Sequence, residues 1–261
     1  LSIAIVTYNS ARTIELALDS ILLHLPPLSV PATIVVVDNH STDNTRDLLQ
    51  PYSDRHQSII LIHNRVNRGF GSAHNQALLL VDSVYHIICN PDIRLSNDVF
   101  SPLIDYMNSS LRVGLVCPRF ISQEGALQHL NRRYPTVLDL FLRRFSPARV
   151  RPLLKRRLQS YDMQDVGYAH SYEVPFMSGA FMFCRTDVLR AVGGFDERYF
   201  LYFEDADISR KVQRIGYQTV YYPDVTVTHA WERLAHKTWR GAWLFAKSAY
   251  RYFSQWGFRW W

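Results

Sequence analysis

The sequence predicts an α/β fold in which a mostly parallel central sheet carries helices on both faces. Three observations point there. Short β-rich apolar runs recur along the first half of the chain, and the stretches between them show helical spacing of apolar residues. With 48% hydrophobic and 20% charged residues in 261, the chain can bury a full core. Strand–helix repetition of this kind implies parallel pairing, with ligands bound beyond the carboxyl ends of the strands.

Taken in order, strands are expected at Ser2–Thr7, Thr33–Val37, Ile59–His63, Tyr85–Cys89 and Val113–Cys117. Helices are expected at Ala11–Leu23, Asp43–Gln50, Phe70–Val81 and Ser96–Asn108. Asp43 is placed to cap the second helix, and Ser96 with Asn97 to start the fourth. After about residue 120 the alternation stops. Residues 121–172 are irregular and basic, with an amphipathic stretch (LDLFLRRFSPARVRPLLKRRL) broken by Pro147 and Pro152. The small, apolar run Val174–Cys184 precedes a short helix from Thr186 and the turn Gly193-Gly194-Phe195-Asp196. Glu204–Ile215 reads as a helix ended by Gly216, Thr219–Tyr222 and Val225–Thr228 as strands, and the tail from Thr238 as helical and aromatic.

The net charge of +6 is unevenly spread. Residues 132–157 hold nine Lys/Arg against Asp139, and residues 232–261 hold six against Glu232, so the rest of the chain is acidic. All six tryptophans (231, 239, 243, 256, 260 and 261) fall in the last 31 residues. Such patches point to an anionic partner with an apolar part, which a membrane surface fits better than nucleic acid. Leu138, Phe141, Leu142, Phe145, Val150, Leu153 and Leu154 alternate with seven Lys/Arg, as in an element lying in a lipid interface. The competing reading has the tail packing its aromatics onto the domain. No apolar run reaches the roughly 18–20 residues of a membrane span, and no signal peptide is expected before the first strand. Cys89, Cys117 and Cys184 are far apart in apolar runs and read as reduced, buried thiols of a cytosolic protein.

Four predicted strand ends or helix starts carry polar residues: Thr7-Tyr8-Asn9, Asp38-Asn39, Asn90-Pro91-Asp92, and Glu204-Asp205 with Asp207. Helix caps or turns would explain any one of them. Four on one sheet edge point to a site, and Asp38 directly follows an apolar run where a cap would sit later. In Asn67-Arg68-Gly69-Phe70-Gly71 the glycines would let backbone approach an anion, Arg68 adds charge and the next helix offers its N-terminus. A plain tight turn is the alternative. His74 stands where a dinucleotide fingerprint needs a third glycine, which argues against a Rossmann dehydrogenase.

These residues, with IVTYNS, VVVDNHSTDNT, NRGFGSAHNQAL, the block MSGAFMFCRTDVLRAVGGFDERYFLYFEDADISRKVQRIG and His229 after the last strand, carry a resemblance. The sequence resembles the family 2 glycosyltransferases of GT-A fold, in particular the bacterial rhamnosyltransferase-like branch, over nearly all of residues 1–230. The resemblance implies a Rossmann-like GT-A domain over 1–230, with a nucleotide-binding half (1–117) and an acceptor-side half (118–230) holding a basic insertion at 130–170. Residues 231–261 would be a helical aromatic and basic extension.

It also implies roles. Thr7, Asn9 and Asp38 would line the base and ribose pocket of a nucleotide-sugar, with Asp38 accepting from a pyrimidine N3–H. Arg68, Gly69, Gly71 and Asn90 would lie near the diphosphate and donor sugar. Asp92 would bind a divalent metal, Mg²⁺ or Mn²⁺, with His229. The family's Asp-x-Asp stands here as Asn-Pro-Asp, so the phosphates and His229 must supply more ligands. A core histidine at a strand end is the other reading of His229. Asp205 would be the catalytic base of an inverting transfer, with Glu204 as orienter or fallback, and Asp207 a first-turn acid favoured by the helix dipole. Met177-Ser178-Gly179-Ala180 would shape the acceptor side.

The implied reaction moves a sugar, L-rhamnose from dTDP-L-rhamnose, to a hydroxyl of a polyprenyl-diphosphate-linked saccharide in O-antigen or related polysaccharide synthesis. The enzyme would be cytoplasmic, peripheral at the inner face of the cell membrane. A UDP-hexose donor is the nearest alternative. A sugar nucleotidyltransferase shares the sheet architecture, but Thr7–Ser10 lacks its glycine-rich first loop. An inactive carbohydrate-binding scaffold has only the missing metal carboxylate in its favour.

Overall fold

The computed structural model describes residues 1–25, 31–147, 149, 152–230 and 239–261, with the side chains of 144, 145 and 240 left aside. The chain runs β1 (Ser2–Thr7), α1 (Ile14–His24), β2 (Thr33–Asp38), α2 (Thr45–Arg55), β3 (Ile59–His63), α3 (Phe70–Leu80) and β4 (Tyr85–Cys89). It continues through β5 (Ile93–Arg94), α4 (Phe100–Ser109), β6 (Val113–Ile121), α5 (Val137–Phe145), α6 (Lys155–Tyr161) and β7 (Tyr172–Glu173). The last elements are β8 (Phe181–Arg185), α7 (Thr186–Ala191), α8 (Glu204–Arg214), β9 (Gln218–His229) and α9 (Trp239–Trp256).

One nine-stranded sheet is ordered β3-β2-β1-β4-β8-β6-β9-β5, with β7 also on β9. Strands β1 to β4 are mutually parallel, as the strand–helix alternation requires. β8 then enters antiparallel between β4 and β6, and β6 pairs parallel with β9. Ile34, Val35, Val36 and Val37 of β2 are all buried, because helices cover both faces. On one face, Ala73 and Ala77 of α3 lie against Ala4, Val6, Val35 and Val37. This is a GT-A architecture. The register sets Thr7 beside Asp38 and, at the far edge, Ile93 beside His229.

The structure corrects three local expectations. Helix α4 starts at Phe100, not Ser96, because the Asp98 carboxylate accepts from the backbone N–H of Phe100 (2.8 Å) and Ser101 (3.1 Å). Thr219–Tyr222 and Val225–Thr228 are one strand: β9 passes Pro223 on a register slip, with Tyr222 opposite Pro118 and Thr226 opposite Arg119. The basic stretch contains two helices, α5 and α6, and Thr136 Oγ1 caps the first by accepting from Asp139 N at 3.0 Å.

α9 has two different faces. Tyr252 and Phe253 are buried with Phe176, Tyr199 and Phe203, whereas Trp239 (93% exposed), Trp243 (61%) and Tyr250 (69%) face solvent. Phe141 and Leu153 are exposed too. Trp231, Val150 and the Phe145 side chain lie outside the described residues. Asp207 does more than complement a helix dipole. Its Oδ1 accepts from Gln255 Nε2 and Trp256 Nε1, both at 2.8 Å, and Lys211 Nζ lies 2.9 Å from Oδ2. The last turn of α9 is thereby fastened to the first turn of α8. Cys89, Cys117 and Cys184 are buried and unbridged. Among the described residues no helix is long and apolar enough to cross a membrane.

Candidate active site

The predicted residues fall into two neighbouring groups. The first gathers where β1, β2 and β3 end. Asp38 is fully buried; its carboxylate accepts from Thr7 Oγ1 (3.4 Å), Ser41 N (3.3 Å) and Arg46 Nε (2.5 Å). Asn9, in a left-handed conformation (φ 54°), accepts from Thr42 N through its side chain at 2.8 Å, while its own N–H donates to Ser41 Oγ. These bonds fasten the β1 and β2 loops together, so a ligand there meets a preformed edge.

Asn39 extends this group. Its Oδ1 accepts from Arg68 N and Asn64 Nδ2, both at 3.0 Å, and its Nδ2 donates to the Gly69 carbonyl at 3.1 Å. Gly69 has φ 84°, and a Cβ there would lie 2.4 Å from the Phe200 carbonyl oxygen. A Cβ on Gly71 would lie 2.7 Å from that of Phe195. Both glycines therefore let α3 close onto the 195–200 segment. The Arg68 side chain is exposed.

The second group, Asn90, Asp92, Glu204, Asp205 and His229, lines a cavity of about 480 Å³. Three segments that are remote in sequence, around residues 90–92, 204–205 and 229, meet here. Tyr202 and Phe203 both adopt left-handed φ (72° and 67°), a cost of about 1–3 kcal/mol each. Ring packing maintains them, with Phe203 5.2 Å from Phe245 and 5.5 Å from Tyr252 between centroids. That double kink delivers Glu204 and Asp205 at the start of α8.

Asp205 is fixed through both oxygens: Oδ2 accepts from Gly179 N (3.2 Å) and Oδ1 from Ala206 N (2.9 Å). Burial raises its pKa, opposed by the nearby Arg132 charge. Glu204 is pushed well above the ordinary carboxylate range by burial and by the Asp205 charge. Its Oε2 has no hydrogen-bond partner among the described residues. The two backbone N–H groups on the Asp205 carboxylate favour its ionised form, the state a proton acceptor needs.

Asp92 Oδ2 lies 3.5 Å from His229 Nε2. His229 Nδ1 is 2.9 Å from Gln128 Oε1, and Gln128 Nε2 donates to the His229 carbonyl at 2.9 Å. The amide orientation makes Nδ1 the protonated nitrogen and turns Nε2, an acceptor, toward Asp92. Burial lowers the His229 pKa, against the opposing Asp92 charge, and favours this neutral ring. Asp92 Oδ1 is buried without a hydrogen-bond partner among the described residues. A carboxylate and a neutral imidazole nitrogen facing each other fit a divalent cation. Among the described residues no group of three or more His, Cys, Asp or Glu assembles, so most ligands would come from a substrate.

Sequence reasoning placed Asn39 at the strand end but gave it no role, and it missed Gln128 and Asn64, whose amides carry no spacing signature. It also assigned Arg132 and Arg143 to a surface patch, whereas both line the cavity.

The profile of the family described as Glycosyl transferase family 2 matches residues 2–193, and that of Glycosyl transferase family group 2 matches residues 153–258. An N-acetylglucosaminyl-diphospho-decaprenol L-rhamnosyltransferase of Mycobacterium tuberculosis is 27% identical over 252 residues, covering 92% of this chain and 78% of its own. The O-antigen chain rhamnosyltransferase WbaN of Salmonella anatum is 24% identical, over 77% of this chain and 57% of its own. Among solved structures, the mannosyltransferase PcManGT of Pyrobaculum calidifontis, in complex with GDP-Man and Mn²⁺, superposes with a TM-score of 0.60 at 20% identity. That superposition covers 93% of this chain and 59% of the other, and shows a shared fold.

Proposed function

Because the chain belongs to glycosyl transferase family 2, we propose that it transfers L-rhamnose from dTDP-L-rhamnose, with inversion, to a hydroxyl of a polyprenyl-diphosphate-linked saccharide. The observation that carries the reading is the meeting of the Glu204–Asp205 pair and the Asp92–His229 pair in one cavity. The rhamnosyl group follows the activity of the mycobacterial relative and of WbaN, and the lipid-diphosphate acceptor that of the mycobacterial relative.

In this reading Asp205 takes the proton from the acceptor hydroxyl as the oxygen attacks the anomeric carbon, and the bond to the leaving diphosphate breaks. The two backbone N–H groups on its carboxylate hold it in one orientation. Glu204 keeps the cavity wall polar beside it. Asp92 and His229 would hold Mg²⁺ or Mn²⁺ together with the donor diphosphate, whose growing negative charge the cation offsets. Gln128 fixes the His229 ring for that task. Thr7, Asn9 and Asp38 take the base and ribose, and Arg68, Gly69, Gly71 and Asn90 the diphosphate and sugar.

Incubation with a panel of radiolabelled nucleotide-sugars tests this directly. Slow hydrolysis of dTDP-L-rhamnose, ahead of UDP-hexoses, is expected. Calorimetry should rank dTDP and UDP well ahead of ADP and GDP. Equal affinity for all four would remove Asp38 from a base pocket.

The exposed Trp239, Trp243 and Tyr250, with Phe141 and Leu153, support a second part of the reading: a peripheral position on the inner membrane face. Binding to anionic liposomes should exceed binding to neutral ones and weaken as salt rises. Indifference to anionic vesicles at low salt would favour a soluble acceptor.

A further inference from the structure

Besides its acidic residues, the cavity has a basic and aromatic lining. Arg132 and Arg143 both line it, and both lean on a single carboxylate, Asp162, at 3.7 and 2.6 Å. The other arginines nearby differ: Arg133 has Asp165 at 2.8 Å, and Arg157 has Asp139 at 2.6 Å. One carboxylate between two guanidiniums leaves this cluster of three with a net positive charge. Arg132 Nε is buried without a hydrogen-bond partner among the described residues.

Both arginines are also held in place. Arg132 exchanges backbone hydrogen bonds with Phe176, each 3.0 Å, and its guanidinium lies 5.5 Å from the Phe176 ring centre. Arg143 lies 5.7 Å from the centre of the buried Tyr161 ring. Leu140 and Phe245 continue the lining as an apolar flank, on the two helices that carry the exposed Phe141 and Trp243.

We propose that Arg132 and Arg143 form the acceptor's diphosphate subsite, with the prenyl chain leaving over Leu140 and Phe245 toward the exposed aromatic face. The inference rests on the glycosyltransferase reading and deepens it. A saccharide linked directly to a diphosphate has its anionic group about one sugar from the hydroxyl under attack. Arg132 is close enough to Asp205 for its charge to hold down the carboxyl's acidity shift, so the basic wall and the base are near neighbours. Paired guanidiniums suit a diphosphate because each presents a planar fork of donors to phosphate oxygens.

Farnesyl diphosphate and inorganic pyrophosphate, titrated into the whole chain already saturated with dTDP, test the proposal. Farnesyl diphosphate should bind, and bind more tightly than pyrophosphate. Arg132→Gln and Arg143→Gln should each weaken both probes by about 10- to 100-fold, the usual scale for losing hydrogen bonds to a charged group. Asp162→Asn, which frees both guanidiniums, should retain or strengthen binding. Should a glutamine variant fail to fold, Arg143→Lys, which keeps the charge and loses the fork, should show an intermediate loss.

Binding unaffected by the arginine changes, or weakened equally by Asp162→Asn, would overturn the subsite. So would displacement of the probe by dTDP. Pyrophosphate binding as tightly as farnesyl diphosphate would overturn the apolar exit. Failure of dTDP itself to bind would strike the donor reading instead, and the titration without nucleotide would then judge the arginines alone.

Discussion

Asp205→Asn is expected to lower turnover by about 10²–10⁴-fold while donor affinity stays nearly unchanged, the signature of losing a general base. The asparagine keeps the size of the side chain and an oxygen for the Gly179 or Ala206 N–H, but it cannot take up the acceptor's proton. Melting temperature supplies a second readout with a defined sign. Burial raises the folded-state pKa of both Glu204 and Asp205. A raised carboxyl contributes stability that is fully present below its unfolded pKa and is lost as pH rises through the folded value. An ionised Asp205 is therefore a burden on the fold as pH rises, and Asp205→Asn should melt higher than the parent. For the same reason the acidic limb of the rate profile should lie above the range of an ordinary aspartate. Near-normal turnover in Asp205→Asn would move the base to Glu204.

Asp92→Ala is expected to cost at least the about 10²–10³-fold in turnover typical of losing one stabiliser of a developing negative charge. Nucleotide affinity should separate it from Asp205→Asn. In the parent chain dTDP should bind more tightly with Mn²⁺ than with a chelator present; in Asp92→Ala the two values should converge. Gln128→Ala should fall between, because it leaves His229 in place but removes the amide that orients its ring. Metal-dependent binding that survives Asp92→Ala would dismiss the Asp92–His229 pair as the cation's protein ligands.

The parallel half of the fold was readable because its inner strands β1, β2 and β4 are buried on both faces and β3 is still a short apolar run. Ser2–Thr7, Ile59–His63 and Tyr85–Cys89 fall where apolar runs predict them. The antiparallel entry of β8 was not readable, since an apolar run states burial and not direction. Pro223 concealed the continuity of β9, because a proline normally ends a central strand and here sits on a slip in register. The acidic end of the cavity was visible in the sequence, because carboxylates at strand ends and helix starts stand out against apolar runs. Its basic end was not, because Arg132 and Arg143 sit among seven other basic residues. Only tertiary packing shows that these two share Asp162 and face inward. Gln128 was hidden for a different reason, as it acts through one histidine 101 residues away.

The Asp207 clasp has a practical bearing on how the terminal helix can be studied. Deleting residues 239–261 would strip Gln255 and Trp256 from a fully buried carboxylate and empty the places of Tyr252 and Phe253 beside Phe203. Removing one partner of a buried charge commonly costs about 3–5 kcal/mol. The loss would fall two residues from Asp205, so a shortened chain would lose activity whether or not it ever touched lipid. Trp239→Ser, Trp243→Ser and Tyr250→Ser alter the outward face alone and leave the clasp intact. Changes to that outer surface can test for adhesion to lipid without disturbing the cavity, whereas cutting the chain cannot.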